Sequence, residues 1–105
     1  MDKVASLKEI LEQDPKNAFA RYGLAMEYAG RGEMAAALAE FDRLLTDNPE
    51  YTAGYFMAAQ TLARAGRDAE AKQRLVDGIA SARQTGNQHA QREMQAMLDE
   101  MEIPE

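Results

Sequence analysis

The chain has 105 residues, 46% of them hydrophobic and 29% charged, enough for one small globular core and no second one. It contains no cysteine, which excludes disulfides, thiolate zinc sites, iron–sulfur clusters and cysteine nucleophiles; a single histidine excludes a histidine-rich metal site. Twelve Lys and Arg against eighteen Asp and Glu give a formal net charge of −6, the wrong sign for a nucleic-acid binder.

Alanine is abundant and β-branched residues are few, a bias toward helix. Along the chain, Leu7, Ile10 and Leu11 share one face of a first helix near 3–13, which Asp14-Pro15 ends. A second helix over about 18–29 turns Leu24, Ala25 and Tyr28 inward, and Gly30-Arg31-Gly32 supplies the left-handed turn that stops it. A third helix carries Ala37, Phe41, Leu44 and Leu45 and breaks at Asn48-Pro49. The fourth runs over about 52–65 to Gly66, and the fifth starts at Asp68 as N-cap and carries Ala71, Leu75 and Ile79. After Gly86-Asn87, a sixth helix places Ala90, Met94, Met97, Leu98 and Met101 on one face; Gln88, Gln91, Arg92, Gln95, Asp99 and Glu102 make the other face polar. The first residues are charged and amphipathic, unlike a secretory leader. The longest uncharged run, Tyr51 to Ala63, is shorter than the roughly 20 residues a bilayer needs. A cytoplasmic protein without a membrane partner is expected.

Shifting the chain by 34 residues aligns its punctuation: Pro15 with Pro49, Ala25 with Ala59, Ala29 with Ala63, Gly32 with Gly66, Ala35 with Ala69, and Ala37 with Ala71. Tyr22 with Phe56, Leu7 with Phe41, Phe41 with Leu75, and Leu45 with Ile79 are conservative pairs. These identities fall where helix ends and close helix contacts restrict the residue type. One helix pair cannot bury its apolar face, whereas a stack of pairs can.

A helix pair every 34 residues resembles the tetratricopeptide repeat. That pattern appears as Leu24-Ala25, Tyr28, Ala37, Phe41 and Pro49, with Arg21 in the opening aromatic slot and Tyr22 beside it. Tyr55, Ala58-Ala59, Leu62, Ala71 and Leu75 follow it again, with Arg83 where the closing proline would stand. The resemblance implies an all-α, right-handed α-solenoid of about six helices in one domain over 1–105. It divides into a half repeat (1–17), two full repeats (18–51 and 52–85), a capping helix (86–102) and a tail (103–105).

No catalytic constellation emerges, so a non-enzymatic protein without cofactor or metal is expected. His89 has no nucleophile spaced nearby, and reads as an exposed residue near a loop. Gly30-Arg31-Gly32 follows a helix rather than a strand and is too short for a dinucleotide loop. Asp99, Glu100, Glu102 and Glu105 lack calcium-loop spacing and read as a solvated acidic end. Met94, Met97 and Met101 read as packing on the fifth helix, with an adaptable binding stripe as the other reading.

In tetratricopeptide proteins the first helices of each pair line a concave groove that receives peptides or helices. Carried over, the groove positions are Phe19, Tyr22, Met26 and Ala29, then Ala53, Phe56, Gln60, Ala63 and Arg64, then His89, Arg92 and Ala96. Phe19, Tyr22 and Met26 form a stripe distinct from the Leu24–Tyr28 core stripe. Arg64 and Arg92 would be polar anchors. Some family members hold a C-terminal carboxylate with a Lys/Asn clamp; Tyr22 and Met26 stand where that clamp would begin. The expected partner is a protein or peptide held at Phe19, Tyr22, Met26, Phe56, Gln60, Arg64 and Arg92. Two other readings stand beside it: the aromatics pack on one another or on the last helix, or a homodimer forms through the groove or the terminal helix.

Overall fold

In the computed structural model, which describes residues 2–103, six α-helices follow one another and no strand occurs among the described residues. They are α1 (Lys3–Gln13), α2 (Ala18–Gly30), α3 (Met34–Asp47), α4 (Thr52–Arg64), α5 (Asp68–Thr85) and α6 (Gln88–Glu102). Three start on side-chain caps. Asp2, Asn17 and Asn87 accept hydrogen bonds from the backbone N–H groups of Ala5 (2.9 Å), Ala20 (2.9 Å) and Ala90 (3.1 Å). Asp68 is not the cap expected from the sequence. It is the first helical residue of α5, and Arg67 occupies the cap position without a side-chain cap bond. Asp68 and Glu70 together put negative charge in the first turn, where it complements the helix dipole.

The stops repeat as well. Gly32, Gly66 and Gly86 adopt φ of 77°, 77° and 71°. The next residue's N–H then returns to a carbonyl five positions back: Glu33 to Tyr28 (2.9 Å), Arg67 to Leu62 (2.9 Å) and Asn87 to Ala82 (2.8 Å). This is the Schellman turn, which requires a left-handed residue that glycine adopts without steric penalty. Helices α1 and α3 end at Asp14 and Asn48, each directly before a proline.

Each helix packs on the next, while α2 also touches α4 and α4 also touches α6. The result is two layers, α1/α3/α5 and α2/α4/α6, with the core between them. Ala25, Ala37, Ala59 and Ala71 are fully buried where helices approach. Phe41, Leu44, Leu75 and Met94 are the largest fully buried side chains, each contributing about 1.5–3 kcal/mol by burial. Met94 brings α6 onto this core, with Ala90, Met97, Leu98 and Met101 partly buried beside it. Asp99, Glu100 and Glu102 are exposed on α6, and Glu105 lies outside the described residues.

The arginine in the opening aromatic slot has a structural role. Tyr55 donates its hydroxyl to the Pro49 carbonyl at 2.8 Å. Thirty-four residues earlier, Arg21 donates from Nη2 to the Pro15 carbonyl at 3.1 Å. Arg21 thus ties helix to preceding loop as the tyrosine does, and its Nη1 also pairs with Glu40 at 2.6 Å.

Two glycines inside helices, which periodicity does not single out, set the closest approaches. A Cβ on Gly54 would stand 2.9 Å from Leu45 Cδ2 and 3.0 Å from Leu44 Cδ2. One on Gly78 would stand 2.6 Å from Tyr55 Cβ and closer still to Met94 Sδ. Met94 can move, but Tyr55 Cβ is fixed to the α4 backbone. Gly78→Ala is therefore expected to destabilise the fold by about 1–3 kcal/mol despite alanine's better helix propensity. Gly30→Ala, with nothing within 4 Å of its Cβ, is expected to be neutral or stabilising by up to about 1 kcal/mol. Urea unfolding of the two variants checks this; equal midpoints would contradict it.

Candidate binding cleft

The second layer, α2/α4/α6, packs on the first through one face only. Phe56 and Gln60 lie on its other face in α4, both partly buried. Phe56 and Glu93 are common to two adjoining recesses along the α4–α6 seam. One, of about 170 Å³, is lined by Tyr22, Thr52, Ala53, Phe56, Met57, Asn87, Ala90 and Glu93. The other, of about 370 Å³, is lined by Phe56, Gln60, Glu93, Ala96, Met97 and Glu100. The smaller matches a single side chain, since a cavity of roughly 150 Å³ accepts a benzene-sized group.

The repeat shows why the opening lies here. Tyr22 and Phe56 occupy equivalent positions, but Tyr22 is braced. Its ring stands edge-on to Phe41 (centroids 6.4 Å apart) and tilted against Tyr51 (5.4 Å). Tyr51 is the N-cap of α4, and the N-cap of α6 is Asn87, a smaller side chain that lines the smaller recess. Its Oδ1 accepts from the Ala90 N–H at 3.1 Å, which holds it on its own helix. Small residues, Ala53, Ala90 and Ala96, border Phe56.

The residues expected from the sequence are not all brought together. Tyr22 and Phe56 share the smaller recess, and Phe56 and Gln60 share the larger. Met26 is partly buried against the core, and Ala29 is buried. Phe19 is 79% exposed at the start of α2 and lines neither recess. Arg64 and Arg92 are exposed and also line neither, Arg92 lying about 100° round α6 from Glu93. His89 is exposed, one turn before Glu93, with Nε2 2.5 Å from the carboxylate.

Sequence reasoning missed Glu93 as a lining residue, and read Glu100 as part of an acidic end and Met97 as core. The pattern did carry a signal: once Met94 and Met101 face the core, Glu93, Ala96, Met97 and Glu100 follow as i, i+3, i+4 and i+7 on an adjacent flank. No group of three or more His, Asp or Glu side chains is arranged to hold a metal ion among the described residues.

The tetratricopeptide repeat profile matches residues 28–98, more than half of the chain. The chain belongs to the tetratricopeptide repeat family. It is similar to a TPR repeat-containing protein of Pseudomonas aeruginosa, 28% identical over 99 residues and covering 94% of each chain. The solution structure of a tetratricopeptide repeat domain protein from Salinibacter ruber superposes with a TM-score of 0.80 at 31% identity, covering 85% of this chain and 90% of that one. That of a Bordetella parapertussis protein gives 0.82 at 28% identity, covering 96% and 88%. Tetratricopeptide repeats generally mediate protein–protein interaction, and family members are generally non-catalytic scaffolds. No helix among the described residues is long and apolar enough to cross a membrane.

Burial pushes the Tyr22 phenol above its ordinary value, and the adjacent Tyr51 adds to this. Burial raises Tyr51 and Tyr55 too; at Tyr55, Arg74 opposes the rise while Asp77 and Glu50 add to it. A raised folded-state value means that the folded protein holds the proton longer. The contribution is fully present below the unfolded value of about 10 and is lost as pH rises through the folded value. Phenolate absorbance is expected to rise at higher pH in the folded chain than in urea, with thermal stability falling over the same range. Tyr22→Phe is expected to lessen that alkaline loss; an unchanged alkaline profile would contradict the assignment.

Proposed function

We propose that the protein is a non-catalytic interaction module that binds a peptide or helix of a partner protein in the groove of the α2/α4/α6 layer. The observation that carries this reading is Phe56, a large apolar ring partly buried against the core that also lines two open recesses. Such a ring, bordered by small side chains, supplies the buried aromatic anchor on which interface affinity concentrates. Gln60 gives a hydrogen-bonding group in the adjoining recess. Phe19, Tyr22 and Met26 extend the apolar stripe toward the N-terminal end, and Arg64 and Arg92 stand at the exposed periphery as longer-range polar contacts. The binding is non-covalent, and the groove requires no cofactor.

Two substitutions test this. Phe56→Ala removes the anchor, while Ala53→Phe puts a large side chain into the smaller recess, which the exposed Ala53 lines. Both are expected to weaken partner recovery in a pull-down from the native cell by tenfold or more, equivalent to about 1.4 kcal/mol, with helical circular dichroism unchanged. Undiminished recovery with both folded variants would overturn the groove reading.

Self-association through the same face is the second reading, favoured by the 79% exposed ring of Phe19. Light scattering separates the two. A monomeric mass at high micromolar concentration eliminates an obligate dimer, whereas a dimer dispersed by Phe19→Ser would assign that face to self-association.

A further inference from the structure

The charges around the cleft specify the chemistry of its occupant. Glu9, Glu33, Glu50 and Asp77 are among the acidic groups with no cationic partner within 4.0 Å among the described residues, but two other recesses hold arginine beside their carboxylates. In the recess between α3 and α5, Arg74 pairs with Asp42 at 2.7 Å and Arg67 with Glu70. Glu27 meets Lys3 (3.9 Å) and Arg31 (3.6 Å). The α4–α6 cleft differs. Its lining contains two carboxylates, Glu93 and Glu100, and no Lys or Arg. Among the described residues Glu100 has no cationic partner within 4.0 Å, and Glu93 has only His89, which is charged only when protonated. Phe56, Ala96 and Met97 provide apolar surface beside these acids.

We infer that the cleft takes a cationic, amphipathic segment of a partner protein, in which an apolar side chain seats against Phe56 and Lys or Arg side chains reach Glu93 and Glu100. This rests on the groove reading above and deepens it by naming the partner's charge. Seven residues along a helix place the two carboxylates about 10 Å apart, so one ligand can offer both cations with the apolar anchor between or beside them. Acidic segments are disfavoured twice, by the unmatched carboxylates at the site and by the net charge of −6.

Selection from a library of random linear peptides displayed on phage, followed by fluorescence anisotropy with the synthetic winners, tests the inference. Wild type is expected to enrich peptides with net positive charge and at least one large apolar residue. Glu93→Gln/Glu100→Gln is expected to weaken their binding roughly three- to tenfold, the scale of two partly exposed charge contacts. Affinity should also fall as salt shortens the Debye length below about 8 Å. Asp99→Asn/Glu102→Gln removes the same charge from α6 residues that do not line the cleft, and is expected to change nothing. Equal weakening by the two double variants would assign the preference to overall charge and overturn the inference. Winners without a positive bias would overturn it too, while leaving the groove reading intact if Phe56→Ala still abolishes their binding. Winners indifferent to Phe56→Ala would overturn both. A library that yields no winners overturns the inference alone, since the pull-down tests the groove independently.

Discussion

Ala25, Ala37, Ala59 and Ala71 leave no surface exposed where successive helices meet, and Gly54 and Gly78 leave no room for even a methyl group. Close approach of helix axes is the constraint on which the remaining structure depends. With the axes close, a single large residue per contact, Phe41 or Leu75, fills the gap between helix pairs, and Tyr55 reaches the preceding loop to bond its carbonyl. A larger residue at any of these contacts would push the layers apart and uncover several large side chains at once. The high alanine content is thus a packing requirement of closely stacked helix pairs.

The same constraint leaves the second layer one-sided. Tyr22 and Phe56 pack only partly against the core, and any cover for the rest of each ring comes from a neighbour at the next helix of the layer. At Tyr22 that neighbour exists, because Tyr51 closes over it. At Phe56 the corresponding N-cap is Asn87, whose side chain caps its own helix. A tyrosine-to-asparagine difference between the two N-caps therefore accompanies the change from a ring braced by another aromatic to one that is not. The aromatics consequently divide: Tyr22 packs on other aromatics, Phe56 faces the recesses, and Phe19 stands free.

Much of this was legible in the sequence. Glycine, proline and asparagine mark the helix ends by local stereochemistry, and the 3.6-residue period places the buried residues, so both come through without tertiary information. Asp68 misled because an acidic residue suits both the cap and the first turn, and only backbone geometry distinguishes them. Gly78 gave no periodic signal, since its role arises from two other helices converging on it. The cleft was half legible. Phe56 and Gln60 follow from the repeat, but Arg92 and Glu93 are neighbours in sequence, and the rotational setting of α6 decides which one faces α4. That setting comes from Met94 locking against Gly78 and Tyr55, a long-range contact that helix numbering alone does not supply.

Helix α6 exposes Gln88, Arg92, Gln95 and Asp99 on its outer surface. A strictly amphipathic helix would present apolar residues to the core and mixed polar residues everywhere else. Here the flank facing α4 carries Glu93 and Glu100 around Ala96, while the arginine is turned away from Phe56. Solubility alone is indifferent to whether Arg92 or Glu93 faces α4, because either residue satisfies it. The segregation of sign therefore follows from the rotational setting of α6, which Met94 fixes against the core.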